Sequence, residues 1–372
     1  MERHNRRGLA VLAGAAVLTA LSAAAFLPLH RPDPIHPGPG VTRVTRLSAW
    51  NPELAGSAGD TPVFVLRGKA PGGTALVLGG THGDETAGYV SALLLVERAR
   101  VERGTLIVIP RANASGFTHN VPQEGHPQHF YLTTTHGRRR FTYGARATNP
   151  VHQWPDPQVY LPAGSSQVLS GSETRNLNRA YPGRRDGTLT ERVAFGITQL
   201  IRREKVALAI DLHEASPEYP VVNTIVAHPR ATDLAAVASM NLEAQGVRIG
   251  LEPSPETLRG LSHREWGDTT PALAILMETT NPAQGRLRGA TGARLVTDGQ
   301  DRFYLAAAGR RQLSVPFTAE GWPLRVRVAR HVTAVREFLS SLGDLDEAAK
   351  IEVTGLPDYA ELAKRGPGPY LW

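Results

Sequence analysis

Thr74-Ala75-Leu76-Val77-Leu78-Gly79-Gly80-Thr81-His82-Gly83-Asp84-Glu85 is the stretch on which the reading of this chain turns. Residues 74–78 form an apolar run with the length and composition of a buried strand. Two glycines then permit a tight turn in backbone conformations that other residues avoid. A histidine and a glutamate follow, three positions apart, just where the strand ends. An imidazole nitrogen and a carboxylate oxygen presented together suit a zinc ion. A catalytic zinc site needs one more protein ligand and an open position for water. The same residues would also serve as a solvated glycine-rich turn, so the motif takes its meaning from what converges on it.

Outward from this stretch, strands and helices alternate. Residues 62–66, 74–78, 105–109, 206–212, 221–227 and 272–277 read as strands. Helical spacing covers 86–101, 190–204, 231–245 and 324–342, with Val193, Ile197, Leu200 and Ile201 on one face of the second. This alternation indicates an α/β domain with a largely parallel sheet covered on both faces. In such sheets, sites form at the carboxyl ends of strands. Residues 112–175 break the pattern. They are polar and rich in Pro, Gly, His and aromatics, and read as a long loop that forms a lid or wall. His126, His129 and His136 lie within it, as solvated loop histidines or a second metal site.

Composition narrows the chemistry. The chain has 372 residues and no cysteine, which excludes a thiol nucleophile, a thiolate zinc site and disulfides. Net charge is +7, carried almost entirely by arginine, which suits carboxylate and phosphate recognition. No basic patch interleaved with aromatics points to nucleic acid. No Gly-x-Ser-x-Gly elbow supports a serine hydrolase.

The N-terminus carries Arg3, Arg6 and Arg7 ahead of an uncharged run over residues 8–27. That is the layout of a secretory signal, with small residues at Ser22-Ala23-Ala24-Ala25 for cleavage. The run is also long enough to span a bilayer. Residues 1–27 are therefore a signal peptide or an N-terminal membrane anchor. Either one puts the remainder outside the cytoplasm, in the periplasm or beyond, with the membrane engaged only through residues 8–27 if they stay uncleaved. Residues 28–45 read as a Pro/Gly-rich linker, 46–343 as the folded domain and 344–372 as a polar tail.

Three further segments bear on the opening motif. Asp211-Leu212-His213-Glu214 ends a strand, and alternation puts Asp211 and His213 on one face. His82, Glu85 and His213, with water in the fourth position, make a catalytic zinc set. Glu278 follows six apolar residues directly, where partial desolvation would raise its pKa toward that of a useful base. Glu214 is the rival for that role. Arg175-Asn176-Leu177-Asn178-Arg179-Ala180-Tyr181-Pro182-Gly183 offers an arginine beside an asparagine, able to grip a carboxylate.

In this order, His82-Gly83-Asp84-Glu85, Asn178-Arg179-Ala180-Tyr181-Pro182-Gly183, Asp211-Leu212-His213 and Glu278 resemble the succinylglutamate desuccinylase/aspartoacylase family, within the zinc carboxypeptidase clan. The likeness covers roughly residues 62–280. It implies a three-layer α/β/α fold with a mixed, mostly parallel sheet of roughly eight strands. It implies one Zn2+ per chain on His82, Glu85 and His213, Glu278 as general base, and Asn178 with Arg179 as a carboxylate clamp. Asn176 stands where the family has an acidic residue. The family's oxyanion arginine has three contenders here, Arg175, Arg140 and Arg111, with Arg175 favoured as a substrate-binding residue.

The function expected is an exported zinc-dependent hydrolase cleaving an amide bond next to a carboxylate, of the N-acyl amino acid deacylase type. A zinc carboxypeptidase acting on small or cell-wall peptides is the alternative. A catalytically inactive binding protein is the alternative of another class. The partner is a small carboxylate-bearing substrate or short peptide.

Overall fold

Apolar segments of two periods become the layers of the fold in a computed structural model that describes residues 2–372. Helix α1 (Glu2–Phe26) leads the chain, with its described side chains exposed. Nine strands then form one sheet: β1 Arg43–Arg46, β2 Pro62–Arg67, β3 Ala70–Leu78, β4 Arg100–Ile109, β5 Leu208–Ala215, β6 Thr224–Ala227, β7 Gly250–Pro253, β8 Leu273–Thr280 and β9 Glu352–Thr354. Their order is β1-β2-β4-β3-β5-β8-β6-β7, with β9 beside β4. The central strands β4, β3, β5 and β8 are mutually parallel. β7 lies parallel to β6, and the other pairings are antiparallel.

One face of the sheet packs on α2 (Thr86–Arg98), α4 (Thr232–Ala244) and α6 (Leu324–Leu345). The other packs on α3 (Leu189–Arg203) and on Trp266 of α5 (Ser262–Thr269). The result is the mixed α/β/α architecture expected from the sequence. A capping box of Thr188 and Glu191 fixes the start of α3, satisfying amide groups that the first helical turn leaves free.

The period-2 rule decides where the chemistry goes. Leu208, Ile210 and Leu212 of β5 face the α2 side, and Ala209 faces the α3 side. Alternation therefore sends Asp211 and His213 to the α3 side and Glu214 to the α2 side. In β8, Ala274 faces α3 and Ile275 and Met277 face α2, so Glu278 joins His213. The two are register partners across β5 and β8.

Glycine allows β3 to turn so sharply. Gly80 has φ +65°, and a Cβ there would sit 2.9 Å from the Phe117 ring. At Gly88, a Cβ would lie 2.4 Å from the Leu212 carbonyl oxygen, so glycine is what lets α2 close onto β5.

Three segments differ from expectation. Residues 28–45 do not form a free linker. Asp33 is buried, its carboxylate accepting from the Thr142 amide at 2.6 Å and facing Arg140 at 3.2 Å and Arg111 at 3.5 Å. The Gly38 amide donates to the Val96 carbonyl, and residues 43–46 join the sheet. Prolines keep the segment irregular, while the arginines around Asp33 make its burial affordable.

Residues 112–175 are an ordered wall. A hairpin of His129–Thr134 and Gly137–Thr142 buries Phe130 and Phe141, stacked 5.5 Å apart. The run Arg138-Arg139-Arg140 hid its period in the sequence. Residues 344–372 also fold: β9 joins the sheet, Tyr359–Arg365 is helical, and the Trp372 amide donates to Glu97.

Candidate active site

β3 ends at Leu78 and α2 begins at Thr86, so the opening motif is the turn between them. This turn hydrogen-bonds to the end of β5. Thr81 Oγ1 donates to Asp211 Oδ1 at 2.8 Å, and the Glu214 amide donates to Glu85 Oε2 at 3.0 Å. These long-range bonds bring His82, Glu85 and His213 together. Their potential ligand atoms all lie within 4.8 Å of one another, and all three residues are buried. Glu85 sits between the imidazoles, with Oε1 2.6 Å from His82 Nδ1 and Oε2 2.9 Å from His213 Nδ1. Among the described residues, no other cluster of His, Asp or Glu could hold a metal ion. The loop histidines are dispersed, His126 against Tyr143, His129 against Tyr131 and His136 against Trp372.

The electrostatics favour a cation. Burial lowers the His82 imidazole to about 4, and Arg146 adds to that. Burial also opposes charge on His213, but Asp211 and Glu85 on its two sides outweigh burial and raise it well above the usual range. Asp211 Oδ2 lies 2.8 Å from His213 Nε2, though not aligned as a hydrogen bond. A proton on His213 thus occupies a place suited to positive charge. Two imidazoles and a carboxylate, converging and backed by hydrogen bonds, are a donor set that fits zinc.

Asn176 orients one of these imidazoles. Its Nδ2 donates to Glu173 Oε2 at 2.8 Å, which fixes the amide orientation. Its Oδ1 therefore accepts from His82 Nε2, at 2.9 Å. With the proton on Nε2, the lone pair of Nδ1 is directed at Glu85. A neutral amide here does the orienting work expected of an acid.

The three residues open into a cavity of about 570 Å3 that also exposes Arg146, Asn178, Arg179 and Glu278. Glu278 Oε2 is enclosed and lacks a hydrogen-bond partner, although the residue as a whole is partly open. Burial raises its carboxyl to about 8, against the pull of His213 and Arg146 and with the repulsion of Glu85 and Asp211 adding to it. Asn178 Oδ1 accepts from the Ser262 amide at 2.8 Å. Arg179 Nη1 donates to the Asn178 carbonyl at 2.6 Å, and its Nε lies 3.8 Å from Glu173.

Arg175 is not in this cavity. Its guanidinium forks onto Asp156 at 2.8 and 2.9 Å and donates to the Thr148 carbonyl. Arg140 and Arg111 are engaged with Asp33. The arginine that does reach the site is Arg146, with Nη1 3.3 Å from His82 Nδ1 and 3.6 Å from Glu85 Oε1. Sequence reasoning missed it because it stands 32 residues before Asn178, in the irregular wall. A bond from the Gly83 amide to the Ala145 carbonyl brings that wall to the turn that carries His82 and Glu85.

No family model matches the chain. Over 187 residues, 49% of its length, it is 28% identical to an N-alpha-acetyl-L-2,4-diaminobutyric acid deacetylase of Halomonas elongata. That stretch is 40% of the deacetylase's own length. Among solved structures, a metallo-carboxypeptidase from Burkholderia cenocepacia aligns over 87% of this chain and 69% of its own, with TM-score 0.49 and 11% identity. A succinylglutamate desuccinylase from Silicibacter aligns over 70% and 64%, with TM-score 0.40 and 19% identity. By its ordered motifs and this partial match to a deacetylase, the chain is similar to proteins of the succinylglutamate desuccinylase/aspartoacylase type.

Proposed function

We propose that the chain is an exported zinc-dependent hydrolase that cleaves the amide bond of small N-acyl amino acids. The observation that carries this reading is the convergence of His82, Glu85 and His213 in one cavity with an unpartnered Glu278 carboxylate and the Arg179 guanidinium. The sequence relative, named for an acetylated amino acid, favours an acyl amino acid over a longer peptide. Residues 46–343 carry the activity, behind an N-terminal segment that we read as a membrane anchor.

His82 Nδ1, Glu85 and His213 would hold the zinc. Bound there, zinc supplies a more acidic water and an electrophile for the amide carbonyl. The chain's own groups do the rest. Arg179 and the free amide nitrogen of Asn178 grip the substrate carboxylate, fixing the scissile bond in the cavity. Glu278 takes a proton from the attacking water as the new C–O bond forms. Arg146, which we assign as the oxyanion arginine, faces the charge that develops on the carbonyl oxygen. Glu278 then gives its proton to the leaving nitrogen as the C–N bond breaks, releasing an amine and a carboxylic acid. An inactive binding protein would have no use for an unpartnered buried carboxylate at this position.

Elemental analysis tests the metal reading. Wild-type protein should carry one zinc per chain, and His82→Ala and His213→Ala should each lose stoichiometric zinc. Full zinc in both variants would put the metal elsewhere. A screen of acyl amino acids against short peptides should show turnover of the former.

A further inference from the structure

We propose that the surface around Val151 and Trp154 docks on the lipid bilayer that α1 enters. The inference rests on the anchor reading of the N-terminus given above. α1 is long and apolar enough to cross a membrane, and none of that stretch is buried in the domain. Between Phe26 and the buried Asp33 lie only residues 27–32. Six residues span about 20 Å at most, and Leu27–His30 shorten that by coiling into a 3-10 turn. Leu29 of this turn is itself buried. The domain therefore hangs from the helix on almost no free chain, and whatever surrounds the turn lies close to the bilayer.

What surrounds it is apolar and rigidly presented. The turn packs on a second 3-10 turn, Ala114–Thr118. Ser115 Oγ of that turn pairs with His152 Nδ1 at 2.8 Å, and Thr118 Oγ1 accepts from Asn149 Nδ2 at 2.8 Å. Between and beyond these two anchors stand Val151, 84% exposed, and Trp154, 73% exposed. Gln153 ties the same loop to the start of α3 through Thr190. The loop is thus pinned from below while its largest apolar groups point to solvent, so docking costs it little ordering entropy.

Charge selects the same partner. Arg140 donates to the Arg31 carbonyl, and Arg138 shares its hairpin face by alternation. Arg138 and Arg31 are exposed and without ion pairs among the described residues. An exposed tryptophan in a loop pinned close to a helix exit that carries Arg31 suits the bilayer interface, where indole sits at headgroup level and anionic lipid attracts arginine.

α1 has no tryptophan, so tryptophan–lipid contact can only report the domain. The full chain would be reconstituted in phosphatidylcholine–phosphatidylglycerol vesicles with plain or brominated acyl chains, bromine quenching indole on contact. Brominated lipid should lower the fluorescence, Trp154→Phe should remove most of that drop, and Val151→Asp should reduce it. An equal drop in Trp154→Phe, or none in a chain whose intact mass and co-flotation show the helix in place, overturns the docking. A chain that loses its N-terminus and parts from the vesicles overturns the anchor reading as well. Self-association in detergent that Trp154→Phe abolishes would assign the patch to a second copy instead.

Discussion

Glu214 and Glu278 end neighbouring parallel strands, and burial raises the carboxyls of both. Their surroundings set them apart. Glu214 lies on the α2 side, where its carboxylate pairs with Arg327 at 2.5 Å and accepts from the Ala87 amide at 2.8 Å. It caps the first turn of α2 and locks that helix to α6. Glu278 lies on the α3 side, partly open to the cavity, with Oε2 unpartnered. A buried carboxylate with every acceptor filled serves the fold. One left without a partner beside His82, Glu85 and His213 is available for proton transfer.

Glu278→Gln gives the largest effect expected from this contrast. The side chain keeps its shape and loses its basicity, so turnover should fall by roughly a hundredfold to ten-thousandfold. Zinc content and melting behaviour should stay close to wild type. Normal turnover here, with loss in Glu214→Gln, would reverse the two roles.

Glu214→Gln should act on stability. It leaves the Arg327 guanidinium buried without a counter-charge, at a cost of about 3–5 kcal/mol. Denaturant unfolding would measure this, and activity per folded molecule should persist. A stable but inactive Glu214→Gln protein would break the comparison.

A matching contrast separates two arginines. Arg179 opens on the cavity, whereas Arg175 is spent on Asp156. Arg179→Ala should raise KM for a carboxylate-bearing substrate tenfold or more, since a charge-assisted contact contributes about 1.5–3 kcal/mol. Arg175→Ala should leave KM nearly unchanged. Equal losses on a substrate whose carboxylate is amidated would argue against direct recognition.

The smallest effect is on pH dependence. In the metal-free protein, burial holds the Glu278 carboxyl at about 8, above its ordinary 4.5. A raised pKa contributes stability that is whole below about 4.5 and is lost as pH rises through about 8. In chelator, the Tm of wild type should therefore fall across that window relative to Glu278→Gln. Parallel curves would mean that burial does not raise the Glu278 carboxyl in the metal-free protein.

The central strands and helices α2, α3, α4 and α6 were legible in the sequence because their apolar periods are long enough to read, whereas the short α5 was not. The order of His82, Glu85, Asn178, Arg179, His213 and Glu278 was legible for a related reason: each follows a recognisable strand or stands in a short distinctive motif. Alternation even gave the shared face of Asp211 and His213. Tertiary structure alone decided the rest. Asp33 is buried because arginines distant in sequence surround it, which no local signal in a proline-rich segment could announce. Arg146 reaches His82 because the Gly83 and Ala145 backbones bond across the wall, while Arg175, nearer to the motif in sequence, is drawn off by Asp156. Charged side chains settle on whichever partner the packing brings within reach, so sequence proximity locates the strand ends that meet at the cavity well and the long arginine side chains poorly.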